Sequence, residues 1–155
     1  MTSDQTPKEI TVFESLAPFE KSLLILISII YEPVSITFLL HTLSKAESLI
    51  QELHTPTKDE LLAILLRLRQ LKLIDAKNRC PQPLVEYITR KSLDRGVIFS
   101  ALAGLVEREA PVSYMYGKWT TRCWRAMRQF RIGVYSGDFD KIDESLKFLE
   151  EHCIE

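Results

Sequence analysis

The chain has 155 residues, of which 46% are hydrophobic and 26% are charged, and its formal net charge is −1. A chain of this length and composition can bury a core of its own, which excludes a disordered protein and a small domain that needs a metal or a disulfide to fold. The longest apolar tract, 23–27 with a continuation at 29–31, is too short to cross a bilayer, so no membrane partner is expected.

The start of the chain predicts a loose segment followed by a central helix. Residues 1–17 are polar and have no clear period, and we expect a flexible leader there. A helix should run from Pro18 to Tyr31, because proline is tolerated in a first turn and Pro33 prevents continuation at the far end. Its seven leucine and isoleucine residues cover every side of the helical wheel, which indicates burial on all sides.

Residues 36–43 predict a second helix, and two later pairs have the spacing of a capping box. Ser44 precedes Glu47 by three residues, and Thr57 precedes Glu60 by three. In such a pair the hydroxyl and the carboxylate each accept a hydrogen bond from a free backbone N–H at a helix start. The first pair therefore predicts a separate short helix after Ser44, and the second predicts another helix directly after Thr57.

The helix predicted over 58–71 carries leucines on two faces. At about 100° per residue, its inward face consists of Leu61, Ile64, Leu65, Leu68 and Leu71. Leu62 and Leu66 lie on the outward face, one turn apart. A helix that reads a DNA groove presents hydrogen-bonding groups there, so an outward leucine pair indicates a surface that covers another helix.

The segment after this helix loses the helical pattern and predicts a small β-hairpin. Two short strand-like runs, 73–76 and 84–88, flank a polar turn that contains Asn78 and Pro81. A further helix should follow over 92–107. The predicted fold is therefore mainly α with one small β-hairpin.

The last third predicts an antiparallel helical hairpin. Asp138 lies in the turn "SGDF", where its side chain can cap the second helix of the pair. Each helix has one apolar stripe with helical spacing, and the two stripes should pack together. They are Cys123, Met127, Phe130 and Val134 on the first helix, and Ile142, Leu146, Leu149 and Cys153 on the second.

Three stretches carry a resemblance to a known family: "FEKSLLILISIIYEPVSITFLLHTL", "TKDELLAILLRLRQLKLIDAKNR" and "PLVEYIT". Their order over 19–90 resembles the winged-helix family, so we expect a winged-helix-like domain over 18–95 and a helical extension over 96–155. Separately, "YSGDFDKIDESLKFLEE" is similar to the helix–turn phrase of a tetratricopeptide repeat, within 119–152.

The winged-helix resemblance implies DNA binding through the third helix and the wing. The residues that it places against the duplex are Thr57, Lys58, Arg67 and Gln70 on the helix, and Lys77, Asn78 and Arg79 at the wing tip. Charge favours the same region, because eight basic and three acidic residues lie from Arg67 to Arg95. Such an excess can mark a face that binds a polyanion, or it can be a solvated surface.

A second basic feature lies between Pro111 and Ser136, where no acidic residue occurs. Arginines recur there at every third position: Arg122, Arg125, Arg128 and Arg131. With Trp124 among them, they suit phosphate contacts and base stacking. Alternatively, Trp124 packs on the winged-helix-like half and the arginines pair with acidic residues on both sides in sequence: Glu107, Glu109, Asp138, Asp140, Asp143 and Glu144.

No catalytic template fits the chain. The five glycines are scattered and the three histidines lack ligand spacing, so neither a phosphate loop nor a metal site is predicted. We therefore expect no enzyme and no cofactor. Cys80, Cys123 and Cys153 are widely spaced, which predicts free thiols and a reducing, cytoplasmic location.

Two functional hypotheses follow from these features. The first is a non-enzymatic, regulatory protein that binds DNA or RNA through the basic residues above. The alternative is a protein–protein interaction module or adaptor, in which Leu62 and Leu66 contact a protein partner or a second copy in a homodimer. The family resemblance favours the first hypothesis, and the leucine face favours the second.

Overall fold

The computed structural model describes residues 8–93, 96–112 and 119–153, and these contain eight α-helices and no β-strand. The prediction of a mainly α fold is confirmed. In chain order the helices are α1 Lys8–Glu14, α2 Pro18–Ile30, α3 Ile36–Ala46, α4 Lys58–Gln70, α5 Gln82–Leu93, α6 Gly96–Glu109, α7 Trp119–Ser136 and α8 Phe139–His152.

Helix α2 lies at the centre of the fold, as its all-round apolar pattern predicts. Leu23, Leu24, Leu26 and Ile30 are completely buried, and α2 packs against α5, α6 and α7. The helix ends at Tyr31, whose φ of 67° is left-handed and directs the chain away before Pro33. A helix buried on every side can organise the helices around it.

The expectation of a flexible leader over 1–17 is wrong for its second half. Helix α1 forms there and buries Phe13 to 4% exposure. The Phe13 ring meets Tyr87 edge-on with centroids 6.2 Å apart, and the Tyr87 hydroxyl donates to Glu14 Oε1 at 2.6 Å. One apolar turn thus attaches this segment to α5, while residues 1–7 lie outside the described residues.

Only one of the two predicted capping boxes forms. Thr57 and Glu60 make both reciprocal bonds at the start of α4. Ser44 lies inside α3, and its hydroxyl donates to the carbonyl of His41 at 2.6 Å, so the separate helix predicted after it is wrong. A serine in a helix can bond backward to its own turn, and the same sequence spacing then has no capping role.

The predicted β-hairpin is also wrong. Residues 71–81 form turns. Asp75 stabilises them, because its Oδ1 accepts hydrogen bonds from the backbone N–H groups of Lys77 at 2.8 Å and Arg79 at 3.0 Å. The second expected strand, 84–88, lies within α5. Its buried residues have helical spacing: Leu84, Val85, Ile88, Thr89 and Ser92. The wing implied by the winged-helix resemblance is therefore replaced by turns and a helix.

The C-terminal helical hairpin is confirmed. Helices α7 and α8 pack against each other, and the Asp138 side chain caps α8 by accepting from the backbone N–H of Lys141 at 3.1 Å. Helix α6 begins four residues later than the helix predicted over 92–107, because α5 extends to Leu93. One core cluster includes α2 residues together with Phe99 of α6 and Ile132 of α7, so both predicted halves contribute to it.

Candidate functional site

The outward face of α4 carries the leucine pair that the sequence predicts. Leu62 is 37% exposed and Leu66 is 53% exposed. On the opposite side of the helix Leu61, Leu65 and Leu68 are completely buried. Helix α4 is therefore fixed in the core through one leucine face and presents a second one to solvent.

All four polar residues that the resemblance assigns to this helix are exposed, and two of them also have a structural contact. Thr57 is the N-cap, and its hydroxyl oxygen accepts from Glu60 N at 3.1 Å. Arg67 forms an ion pair with Glu20 of α2, and this hydrogen-bonded partner raises the pKa of Arg67. Lys58 and Gln70 are exposed. Two of the four thus serve the fold itself, one as a cap and one as an ion-pair partner of α2.

The three residues assigned to the wing tip lie in the turn before α5, and only Lys77 of them is exposed. Asn78 is 5% exposed, and its Nδ2 donates to the carbonyl of Val34 at 3.0 Å. Arg79 Nε donates to the carbonyl of Tyr31 at 3.1 Å, and its guanidinium lies 3.8 Å from the centre of the Trp124 ring. Asn78 and Arg79 therefore connect the turn to the end of α2 and to α7.

Two of the α7 arginines bond to acidic residues of other helices or turns. Arg125 donates twice to the Glu32 carboxylate, at 2.8 and 3.2 Å. Arg131 donates to Glu86 at 2.9 Å, and its guanidinium lies 4.8 Å from the centre of the Tyr31 ring. The partners of these two arginines are thus Glu32 and Glu86, and the pairing expected with the acidic residues at 107–109 and 138–144 is wrong for them. Their contacts fix α7 to the body of the protein.

Arg128 has the most buried charged side chain in the described part of the chain, with 0% exposure. Its Nη2 donates to the carbonyl of Ala110 at 2.5 Å, and its Nη1 lies 3.7 Å from Glu32 Oε2. Burial lowers the pKa of Arg128 to about 10, although the Glu32 charge acts in the opposite direction. The Nε and Nη1 atoms are buried without a hydrogen-bond partner, so Glu32 is the main compensation for this charge.

Aromatic side chains complete the contact between α7 and the body. Tyr31 and Trp124 meet edge-on with centroids 5.6 Å apart. The Tyr135 hydroxyl donates to Glu86; burial and this bond raise the pKa of Tyr135. Arg122, the remaining arginine, is half-buried near the start of α7. The basic and aromatic residues that suit nucleic-acid binding are thus largely brought together at an internal contact.

The expectation of three free thiols is wrong for two of them. Cys123 of α7 and Cys153 after α8 form a disulfide with their Cα atoms 5.9 Å apart, which is an ordinary separation for this bond. Cys80 is free and buried, and burial raises its pKa to about 12. Cys123 begins the apolar stripe of α7 and Cys153 ends the stripe of α8. In an antiparallel hairpin these two positions lie side by side, and this was the signal in the sequence that could have predicted the bond.

We also looked for metal sites, cavities and membrane-spanning helices among the described residues. No group of three His, Cys, Asp or Glu side chains that could hold a metal occurs in the described ranges. A surface cavity of about 390 Å³ between α1, α2 and α5 contains none of the predicted residues. In the part of the chain that the structure describes, no helix is both long and apolar enough to cross a membrane.

Comparisons with protein-family models, with curated proteins and with solved structures gave no match for this chain.

Proposed function

We propose that this chain is a non-enzymatic protein–protein interaction module, in which the outward face of α4 binds a protein partner. The observation that carries the proposal is the exposure of Leu62 and Leu66, at 37% and 53%. Leucine pairs one turn apart on a helix surface are the usual anchors by which one helix packs on another.

The bonding of the arginines supports this proposal over nucleic-acid binding. Phosphate contacts need guanidinium or ammonium groups that can reach the nucleic-acid backbone. Arg125 and Arg131 are bonded to Glu32 and Glu86, and Arg128 has no exposed surface. A phosphate would have to replace these internal partners and leave their carboxylates without a counter-charge.

Nucleic-acid binding nevertheless stays a prediction of the sequence. Lys58, Lys72 and Lys77 are exposed around α4 and the turn that follows it. Three lysines supply few phosphate contacts, so binding through them would be weak and would fall with added salt. A salt titration separates the two functions, as described in the Discussion.

The partner site can be tested with Leu62→Gln/Leu66→Gln, because glutamine keeps helix propensity and removes the apolar surface. A matched control is Leu49→Gln, since Leu49 is 45% exposed but lies outside α4. Proteins retained from a cell extract by the wild type and the control, but lost by the double variant, should be purified and tested for direct binding. Sedimentation of each variant shows whether a second copy occupies the face.

We expect at least one protein, or a second copy, to bind the wild type and the Leu49→Gln control but not the double variant. The same proteins retained by all three, or none retained together with an unchanged monomer mass, would contradict the proposal. Equal melting temperatures for the three proteins exclude loss of fold as the cause.

A further inference from the structure

A second set of exposed apolar side chains lies on the C-terminal hairpin, on helices other than α4. Phe139 is 77% exposed, and three further residues are between 36% and 49% exposed: Met127, Val134 and Leu146. Scattered apolar residues are normal on a protein surface. Here, however, all four lie on two adjacent helices, α7 and α8.

The register of the hairpin places these side chains along one groove. Gly133 allows the close approach of the helices, since a Cβ on it would lie 3.0 Å from Ile142 Cγ1. The disulfide joins positions 123 and 153 at the opposite end. Gly133 thus lies opposite Ile142, and Cys123 lies opposite Cys153. Both contacts give the two helices the same antiparallel register.

Helical spacing then defines the two sides of the groove. Met127 and Val134 are seven residues apart on α7, so they lie on the same side, as do Phe139 and Leu146 on α8. The arginine side of α7 is turned to the body through Arg128 and Arg131, which leaves Met127 and Val134 on the outer side. The four side chains lie in the half of the groove next to the turn, over seven residues of each helix, or about 10 Å at 1.5 Å per residue.

The α8 side of the groove is acidic. At about 100° per residue, Asp143 and Glu150 follow Phe139 and Leu146 on the side away from α7, and both acids are exposed. Further around the circumference of the same helix, Asp140, Glu144 and Glu151 are exposed as well. Lys141, one of the two lysines of α8, is bonded to Glu107 at 2.5 Å, so its charge is compensated within the protein.

We propose that this hairpin groove binds a basic amphipathic helix of a partner protein. The partner's apolar stripe would lie on Met127, Val134, Phe139 and Leu146, and its lysines or arginines would face Asp143 and Glu150. This pairing gives the hairpin a third helix and completes a three-helix layer. The site uses different helices from the α4 face, so it does not depend on the function proposed above.

A second copy of the chain fits the groove poorly. A two-fold dimer places the same surface on both sides, so the acidic side chains of both copies would be brought into one interface, and like charges across an interface oppose binding. A basic helix meets the same acids with opposite charge. Charge complementarity thus selects the occupant.

The test uses the full chain with its disulfide intact and two synthetic helices of about 18 residues, enough to span the groove. One peptide carries leucines on one face and lysines on the other, and the second has glutamate at every lysine position. Binding is measured by fluorescence anisotropy at two salt concentrations. The variants are Phe139→Gln/Leu146→Gln, which removes apolar surface, and Asp143→Asn/Glu150→Gln, which removes charge.

We expect the lysine peptide to bind at least about tenfold more tightly than the glutamate peptide, and added salt to weaken it. Phe139→Gln/Leu146→Gln should lose about tenfold or more in affinity, and Asp143→Asn/Glu150→Gln should lose most of the salt dependence. Leu62→Gln/Leu66→Gln, on α4, should bind as the wild type does.

Three results would overturn the proposal. They are equal affinity for the two peptides, unchanged binding by Phe139→Gln/Leu146→Gln, and a dimer in sedimentation that this variant abolishes, which would assign the groove to a second copy. Because the four exchanged residues are exposed, melting curves of the variants should match the wild type and exclude misfolding. The leucine variant of α4 also separates the two sites: a failure at the groove leaves the α4 proposal intact.

Discussion

Replacing Glu32 by glutamine should strongly destabilise this protein, because its largely buried carboxylate compensates a buried charge. The Glu32 carboxylate accepts two hydrogen bonds from Arg125 and lies 3.7 Å from Nη1 of the completely buried Arg128. In Glu32→Gln the side chain keeps its shape but loses its charge. Arg128 then keeps its own charge in the interior with one hydrogen bond, to Ala110.

The magnitude follows from the burial of Arg128. Removing one partner of a buried ion pair typically costs about 3–5 kcal/mol, because the other charge stays desolvated. The introduced amide can still accept a hydrogen bond, so we expect a loss of about 3 kcal/mol, at the lower end of that range. Glu20→Gln is the matched control: its partner Arg67 has a side chain that is 55% exposed, against 1% for Arg128. Water can hydrate the exposed Arg67 charge that Glu20→Gln leaves unpaired, so we expect a loss of about 0–1 kcal/mol.

The assay is urea unfolding followed by circular dichroism, with the free energy of unfolding taken at constant m-value. Arg128→Met added to Glu32→Gln should recover most of the loss, because the uncompensated charge is then absent. Equal effects of Glu32→Gln and Glu20→Gln, or no recovery in the double variant, would show that Glu32 does not compensate Arg128.

Two further predictions concern the thiols and a tyrosine. Native protein should show no thiol that reacts with a disulfide reagent and unfolded protein should show one, because Cys123 and Cys153 are linked and Cys80 is buried; two or three reactive thiols after unfolding would contradict the disulfide. The hydrogen bond from Tyr87 to Glu14 raises the pKa of Tyr87 to about 12. The stability that this bond contributes is therefore complete below the usual phenol pKa of about 10, and it is lost as the pH rises through about 12. Ultraviolet titration of Tyr87→Phe should therefore lack a phenol that ionises near 12, and loss of one near 10 would show that this bond does not form.

The features that sequence predicts well here depend on local patterns. The apolar helix α2, the capping box of Thr57 and Glu60, and the hairpin with its Asp138 cap each involve residues within one helix or one turn. Leu62 and Leu66 were placed on the outer face by helical period alone, and their exposure confirms it. For such elements, spacing and backbone capping decide the structure.

The features that sequence does not predict depend on distant partners. The run 84–88 is short, mainly apolar and preceded by a proline, which is typical of a strand, yet Val85 and Ile88 also have helical spacing, and packing against other helices favours the helix. Arg125 bonds to Glu32, which lies 93 residues away along the chain, so local charge pattern could not reveal the pair. In the sequence, a basic stripe without neighbouring acidic residues thus looks like a free cationic face. In the structure, its acidic partners come from distant parts of the chain.

Whether the arginines of α7 are engaged inside the protein can be measured directly. The intact protein is titrated with a mixed pool of DNA and RNA, and binding is followed by fluorescence anisotropy over a series of salt concentrations. If the arginines hold α7 to the body, the protein should show no tight, salt-dependent binding even at low salt. Affinity that falls steeply with salt, with a slope that decreases by about two units in Arg125→Gln/Arg131→Gln, would show instead that these arginines contact a nucleic-acid backbone.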